Sequence, residues 1–412
     1  MLGPGYTLIY REPVEFVAGR GAHLFDHEGN DYLDAYNNVP CVGHAHPRVV
    51  EAVSWQLAAV NTNTRYVQEA LVDYAERLLA TFPPELTKVS LACSGSEAND
   101  LAMRVARFHT GAEGIIVTRW AYHGITREVS SFSPSLGKGS PLGPNVRLID
   151  PPDPRLVPRG STLAEHMRNQ VRGAIDDLER HGYRLAALVT DCAYSSDGIF
   201  TDPVGYMRPV VEEVHAAGGV YIADEVQSGF ARLGDSMWGF SRHGVVPDIV
   251  TMGKPMGNGV PLSGVVFRPE VSEEFGRSVR YFNTFAGSSI PVAAGGAVLD
   301  VFEEENVQQR VLENGKALRA GLDEITQDSP YVAEVRGSGL YVGVEIVEDR
   351  DSLAPDRARA EDVINDMRDR RVLISGSGER ANVLKIRPPL AFDSADVARF
   401  LDTFAAVAGN RL

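Results

Sequence analysis

Three short runs in this 412-residue sequence hold residues whose types and spacing could do chemistry together. The first is Ser94-Gly95-Ser96-Glu97, between an apolar run ending at Ala92 and a helical pattern beginning at Ala98. Small residues at a strand-to-helix turn let the backbone wrap an anion. The free N–H groups and positive dipole end of the helix then point at it. Ser94 and Glu97 also have the spacing of a capping box, the plainer reading of the run taken alone. The second is Ala223-Asp224-Glu225-Val226-Gln227. Asp224 ends an apolar run that reads as a buried strand, and open α/β sheets bind ligands at such ends. A carboxylate buried there needs a cationic partner to stay ionised. The protonated nitrogen of a bound ring is one such partner, and would make that ring an electron sink. An N-cap or a salt bridge to an arginine is the plainer alternative. The third is Lys254, after the run Asp248-Ile249-Val250-Thr251-Met252-Gly253 and before Pro255, Gly257, Asn258 and Gly259. An amine at such a strand end is poorly solvated, which lowers its pKa and makes it a nucleophile. Most lysines lie on the surface, but the apolar approach and turn-rich exit argue against that here.

Three further sets are weaker. Tyr122-His123-Gly124 follows the apolar run at Ile115, where an aromatic ring could stack on a planar ligand or simply pack in the core. Lys385 and Arg387 alternate on the last strand-like run and so share a face. Two adjacent cations repel unless an anion lies between them, which suggests a substrate carboxylate or phosphate. Two solvated charges on an edge strand are the alternative. Gly43-His44-Ala45-His46-Pro47 could supply a metal pair, yet no further ligands cluster nearby, and no metal is expected. No strand-like run leads into Gly-x-Gly-x-x-Gly, so a dinucleotide site is not supported.

These runs need strands and helices to hold them. Gly21–Asp26 and Asp31–Asp34 flank a turn at Glu28-Gly29-Asn30 and read as a hairpin. Val50, Val53, Leu57 and Val60 give helical spacing over Pro47–Val60. Short apolar strands are expected at 89–92, 115–117, 185–189, 220–223 and 249–252, with helices between them, one of them stopping near Gly111. Such alternation indicates a mainly parallel sheet covered on both faces. Beyond about Pro291 a long helical stretch over 293–325 leads to strands at 332–336, 341–347, 372–374 and 383–386. A helix near 360–370 lies among these strands, and a last helix begins near Asp393. This reads as a smaller α+β domain. The division expected is 1–60 as an N-terminal segment belonging to the small domain, 61–292 as the large domain and 293–412 as the small domain.

A chain of this length exceeds one compact core. A net charge of −15 argues against a nucleic-acid partner. No apolar run approaches membrane-spanning length, and Met1–Arg11 lacks the pattern of a signal peptide. Cys41, Cys93 and Cys192 lie far apart, an odd and sparse set that fits a reducing compartment. A soluble, cytoplasmic protein is expected.

Together the motifs resemble those of class III aminotransferases, which are fold-type-I pyridoxal-phosphate enzymes. The resemblance runs from Gly21 to Pro389. It is carried by Tyr221–Gly234, by Pro247–Lys254, by Ser94–Asn99, by Tyr122-His123-Gly124 and by Asn283-Thr284-Phe285-Ala286-Gly287. It implies a large domain built on a mainly parallel, seven-stranded type of sheet, with a smaller α+β domain. It also implies that Lys254 forms the Schiff base and shuttles the proton, and that Asp224 pairs with the pyridine nitrogen. Ser94, Gly95 and Ser96 would hold the phosphate, with Tyr122 stacking on the ring beside His123 and Gln227 bonding the ring hydroxyl. Thr284 would reach the phosphate of a partner subunit, which implies a homodimer with shared sites.

Within the family, Asn37-Asn38, the Gly43–Pro47 run, Asn61–Tyr66 and Asn382–Pro389 look most like one branch. That branch holds alanine–glyoxylate aminotransferase-like proteins and phospholyases. Asn38, Arg65, Asp191, Lys385 and Arg387 are the substrate-contact candidates. The sequence departs from the family pattern at Asp191-Cys192, at Lys385 where many relatives carry an arginine, and at Gly287–Pro291. These departures put the usual pairing of an α-amino acid with 2-oxoglutarate in doubt. The resemblance implies a ping-pong aminotransferase acting on a small amine and a carbonyl acceptor. A phospho-lyase or ammonia-lyase acting on an aminoalkyl phosphate or phosphonate is the rival, and a pyridoxal-phosphate binder without catalysis a third reading.

Overall fold

In the computed structural model, which describes residues 3–412, the chain opens with an antiparallel meander. Its strands are β1 (Phe16–Arg20), β2 (His23–Asp26) and β3 (Asp31–Asp34). The β2–β3 turn lies where the sequence predicts it. The Asp26 carboxylate accepts the N–H groups of Glu28 and Asn30, and Gly29 takes the left-handed backbone at φ 80°. The expected N-terminal segment starts with two residues that lie outside the described part. Helices α1 (Pro47–Ala59) and α2 (Glu69–Ala80) follow.

The middle of the chain alternates. In order come β4 (Lys88–Ala92), α3 (Gly95–Thr110), β5 (Gly114–Thr118), the short α4 (Arg127–Ser130), β6 (Val146–Ile149), α5 (Leu163–Arg180) and β7 (Leu185–Asp191). Then come α6 (Arg208–Ala216), β8 (Val220–Asp224), β9 (Ile249–Met252), β10 (Ser263–Phe267) and α7 (Pro269–Ser278). Seven of these strands form one sheet in the order β4-β10-β9-β8-β7-β5-β6. Within it β10 alone runs against its neighbours. Strands β5, β7, β8 and β9 are buried along their whole length, which is why they read as unbroken apolar runs rather than alternating ones. The mixed α/β fold with a large, mainly parallel sheet matches expectation. β6 and β10 were not foreseen, nor were α2, α5 and α7.

One expected element is corrected. The stretch 293–325 is not a single helix but α8 (Ser289–Glu304) and α9 (Val307–Thr326). They part at Asn306, whose φ of 48° is a left-handed conformation that no helix interior accepts. Beyond them lie β11 (Val332–Ser338), β12 (Tyr341–Ile346), α10 (Arg357–Asp369), β13 (Val372–Leu373), β14 (Ser375–Ser377), β15 (Val383–Ile386) and α11 (Ser394–Arg411). Four of these strands form an antiparallel sheet in the order β11-β12-β15-β14. The strand expected at 372–374 does not join it. Instead β13 pairs in parallel with β3, Val372 opposite Leu33, and completes the N-terminal sheet. Among the described residues no helix is long and apolar enough to cross a membrane.

Candidate active site

Register brings the chemistry together. Asp191 ends β7 directly beside Asp224, which ends β8, and Asp224 in turn lies beside Thr251 near the end of β9. Lys254 follows three residues after Thr251. The N-terminus of α3 faces the same sheet end. One cleft there is lined by Gly95, Ser96, Tyr122, His123, Gly124 and Val226, together with Asp191, Asp224, Gln227 and Lys254. Eight of the predicted cofactor and substrate residues thus meet in one place. Arg387 joins them electrostatically by acting on Lys254, and Lys385 joins through the charges of Arg387, Asp191 and Lys254 that act on it.

Asp224 is 4% exposed, and among the described residues no arginine pairs with it. Its Oδ2 accepts from Asn99 Nδ2 at 2.9 Å and sits 2.7 Å from His123 Nδ1. Its Oδ1 accepts only the Val226 N–H, at 3.1 Å, which leaves a lone pair for a further donor. Asn99 is itself fixed, donating to the His123 carbonyl at 2.7 Å and accepting from Thr251 Oγ1 at 2.7 Å. His123 therefore lies behind the carboxylate and orients it, with Nε2 buried and unpartnered. Asn99 and Thr251 were missed at the sequence level. Their placement comes from helix α3 packing across the sheet end and from the register of β8 with β9, neither of which the local sequence marks.

The anion corner is built as the sequence suggests, and the capping reading holds beside it. Ser94 Oγ accepts the Glu97 N–H at 3.3 Å, but Glu97 Oε2 turns to the Cys93 N–H at 2.8 Å rather than closing the box on Ser94. The Gly95 and Ser96 N–H groups stand in the first turn of α3, where the helix itself offers no acceptors. Ser96 Oγ accepts the Ile125 N–H at 3.1 Å and keeps its own proton free to donate. Gly95 packs so closely on Val226 that a Cβ would stand 3.0 Å from its methyl carbons. At Gly124 a Cβ would lie 2.4 Å from Ser96 Oγ, and φ is 137°, so glycine is required there.

Two further cations, Lys385 and Arg387, are coupled to Lys254 beside this lining. Burial, reinforced by the neighbouring Arg387, pulls the Lys254 amine down to about 8 and the Lys385 amine down to about 7. Neither amine has a hydrogen-bond or ion-pair partner among the described residues. Arg387, 5% exposed, is committed: it donates to Gln227 Oε1 and, through Nε, to the Tyr36 carbonyl at 3.3 Å. It also lies 5.2 Å from the Tyr36 ring centroid. Because a guanidinium can only donate, the Gln227 oxygen must face it, leaving the Gln227 amide N–H groups for the cleft. The edge-strand alternative for Lys385 and Arg387 fails, since β15 lies between β12 and β14. Asp191 spends both oxygens on backbone, accepting the N–H groups of Ala193 at 2.9 Å and Ser195 at 2.8 Å. Burial first, then the charge of Asp224, pushes its pKa up.

Some predicted residues do not reach this cleft within the chain. Thr284 and Arg65 are exposed, Arg65 stacking 4.0 Å above the Phe282 ring. Asn38 is 2% exposed, and it is absent from the lining, as are Ser94, Lys385 and Arg387. The histidines of Gly43–Pro47 serve separate carboxylates, His44 with Asp34 at 2.8 Å and His46 with Glu305 at 3.3 Å. Among the described residues no group of three or more His, Cys, Asp or Glu could hold a metal.

The donor set fits pyridoxal phosphate. Free N–H groups and a serine hydroxyl suit its phosphate, the open lone pair of Asp224 suits a ring N–H, and the Lys254 amine suits its aldehyde. The Aminotransferase class-III family model matches residues 10–408. The chain is 38% identical to a Drosophila melanogaster protein described as alanine–glyoxylate aminotransferase 2-like, over 97% of this chain and 83% of that one. It is 36% identical to ethanolamine-phosphate phospho-lyase homolog 1 of Caenorhabditis elegans, over 97% and 89% of the two chains. Among solved structures, a phospholyase from Arthrobacter in complex with phosphoethanolamine superposes with a TM-score of 0.95. The two are 43% identical, over 99% of this chain and 97% of that one.

Proposed function

Since this chain belongs to the class-III aminotransferase family, and is therefore a pyridoxal-phosphate enzyme, we propose that it cleaves small aminoalkyl phosphates to phosphate, ammonia and a carbonyl product. The observation that carries this reading is the unpaired Lys385 amine beside the committed Arg387. A lysine and an arginine buried close beside Lys254 suit a dianion better than a single carboxylate. The likeness to a phospholyase structure at 43% identity supports it.

When bound, the cofactor supplies a protonated ring that withdraws electrons from the carbon bearing the amine. Lys254 Nζ takes the proton from that carbon. The electron pair left behind expels phosphate from the neighbouring carbon, where Lys385 offsets the departing charge. One water is consumed overall, so that ammonia and an aldehyde or ketone leave with the phosphate. Asp224, held by Asn99, His123 and the Val226 N–H, keeps the ring nitrogen protonated.

A second reading, transamination, is ranked first by the sequence motifs and supported by the relatives described as aminotransferases. It asks one site to take two carbon skeletons in turn. The two readings separate when holoenzyme is mixed with phosphoethanolamine and no keto acid, and phosphate, ammonia and the visible spectrum are followed. Continuous phosphate release with the visible band preserved supports cleavage. One stoichiometric loss of that band, without phosphate, overturns it in favour of transamination.

We also propose a homodimer. Val67 is fully exposed, and Trp55, Leu57 and Phe285 are between 65% and 71% exposed, an apolar surface that a second copy would cover. The exposed Thr284 is the chain neighbour of Phe285.

A further inference from the structure

Asn258 stands four residues beyond Lys254, in a left-handed conformation with φ 48°. Asparagine is one of the few residues that take this backbone readily. The two glycines beside it mark a tight turn; a Cβ on Gly257 would lie 2.2 Å from the Val260 carbonyl oxygen. The Asn258 side chain points away from its own turn and grips a distant segment at both ends of its amide. Its Oδ1 accepts the Val42 N–H at 3.0 Å, and its Nδ2 donates to the Gly43 carbonyl at 2.9 Å. The pair of bonds also sets the amide orientation, because the N–H and C=O it meets cannot exchange roles.

The gripped segment leads to Arg387. The Ala35 carbonyl accepts the Arg387 backbone N–H at 2.7 Å, and the Tyr36 carbonyl accepts Arg387 Nε at 3.3 Å. The Cys41 carbonyl accepts the Leu390 N–H at 2.7 Å. Gly43, at φ 109°, passes so close to Gly21 and Ala391 that a Cβ would lie 3.0 Å from each. One stretch, 35–43, is thus bonded to the lysine turn at one end and to the residues around Arg387 at the other.

We propose that Asn258 is a positioning residue: its amide clasps the turn that carries Lys254 to the 35–43 segment, so that the reach of Lys254 and the placement of Arg387 are set together. It touches neither substrate nor cofactor. It acts through Lys254, and it does so whichever reaction the site performs.

Three variants test this. Asn258→Gly keeps the backbone conformation and removes the clasp. Asn258→Ala removes the clasp and strains the backbone. Asn258→Asp keeps the acceptor for Val42 and sets an oxygen against the Gly43 carbonyl. A displacement of about 1 Å at a reacting group costs on the order of 100-fold in rate, so Asn258→Gly should lower kcat by roughly 10- to 100-fold. It should also shift the pH midpoint of the visible band of the cofactor-loaded enzyme, a readout of the lysine's surroundings that general loosening of the fold would not move. Asn258→Asp should move both in the same direction, and it remains available if Asn258→Gly does not fold. Wild-type kcat, KM and spectral midpoint in Asn258→Gly or Asn258→Asp overturn the proposal, even where the melting temperature falls. Loss in Asn258→Ala fully restored in Asn258→Gly also overturns it, because backbone conformation alone would then explain the residue.

Discussion

Lys254 and Lys385 are coupled buried amines whose tasks call for opposite charge states, and only an anion bound beside Lys385 would keep it protonated while Lys254 is neutral. Lys254 has to be neutral to act as a nucleophile and base, whereas Lys385 has to be charged to hold an anion. Lys254→Ala should abolish turnover while the protein still binds pyridoxal phosphate, seen as a retained but shifted absorbance after gel filtration. Lys385→Met should raise KM for phosphoethanolamine by roughly 10- to 100-fold, the loss expected for one hydrogen bond to a charged group. The pH dependence has a definite sign. Lys385 loses its proton near 7, and a phosphate monoester becomes fully dianionic above about 6. Substrate affinity should therefore peak between these values and fall as pH rises past 7, and Lys385→Arg should extend the plateau upward. Stability follows the same titration. The pKa of Lys385 is about 7 in the fold against an ordinary 10.5, so the unfolded chain binds more protons between those values. Burying the charged amine opposes folding in full below pH 7, and that opposition fades as pH climbs toward 10. The melting temperature of Lys385→Met should exceed that of wild type at pH 6.5, and the gap should narrow markedly by pH 9.5; a gap that widens would show the amine to be favourably paired. Asp224, Lys254, Gly95 and Ser96 were legible because each follows or ends an apolar strand-like run, and all four line the cleft. Asn99 and Thr251 were not, because their role comes from hydrogen bonds across 125 and 152 residues of chain.

At the scale of elements, the buried parallel strands were readable because burial on both faces leaves unbroken apolar runs. Shorter pieces escaped. β10 begins Ser263-Gly264, residues that read as a turn, and only its pairing between β4 and β9 makes it a strand. α5 could have been found. Thr162 and Glu165 form a full capping box, and Met167, Val171, Ile175 and Leu178 repeat at helical spacing on its buried face. The break between α8 and α9 turns on one asparagine that propensity alone does not mark. Asn306→Gly should be neutral or slightly stabilising there, whereas Asn306→Val should cost about 1–2 kcal/mol for forcing a branched side chain into the left-handed region. Thermal melts of the two variants check this. Equal melting points would mean that the backbone at 306 is free to rearrange.

For the whole molecule, the balance of surface is unusual for a lone chain. Val50, Trp55, Leu57, Val60, Tyr66 and Val67 are all more than half exposed along and after α1. If a second copy covers them, Trp55→Glu combined with Phe285→Glu should yield a monomer by light scattering that retains cofactor poorly. A wild-type protein that is already monomeric at micromolar concentration would remove the dimer reading.

The pairing of β13 with β3 has a consequence for the order of events on the ribosome. The N-terminal meander is a small three-stranded piece, and such sheets are marginal until further strands or helices cover them. Its fourth strand is made only when synthesis reaches Val372 and Leu373. The first strands to emerge are thus among the last to be completed, and they must wait with an open edge while the large sheet forms behind them. A nascent chain halted before residue 372 should carry a protected central sheet and a protease-sensitive N-terminus. Release of the remaining residues should close that N-terminus without any change in the central sheet.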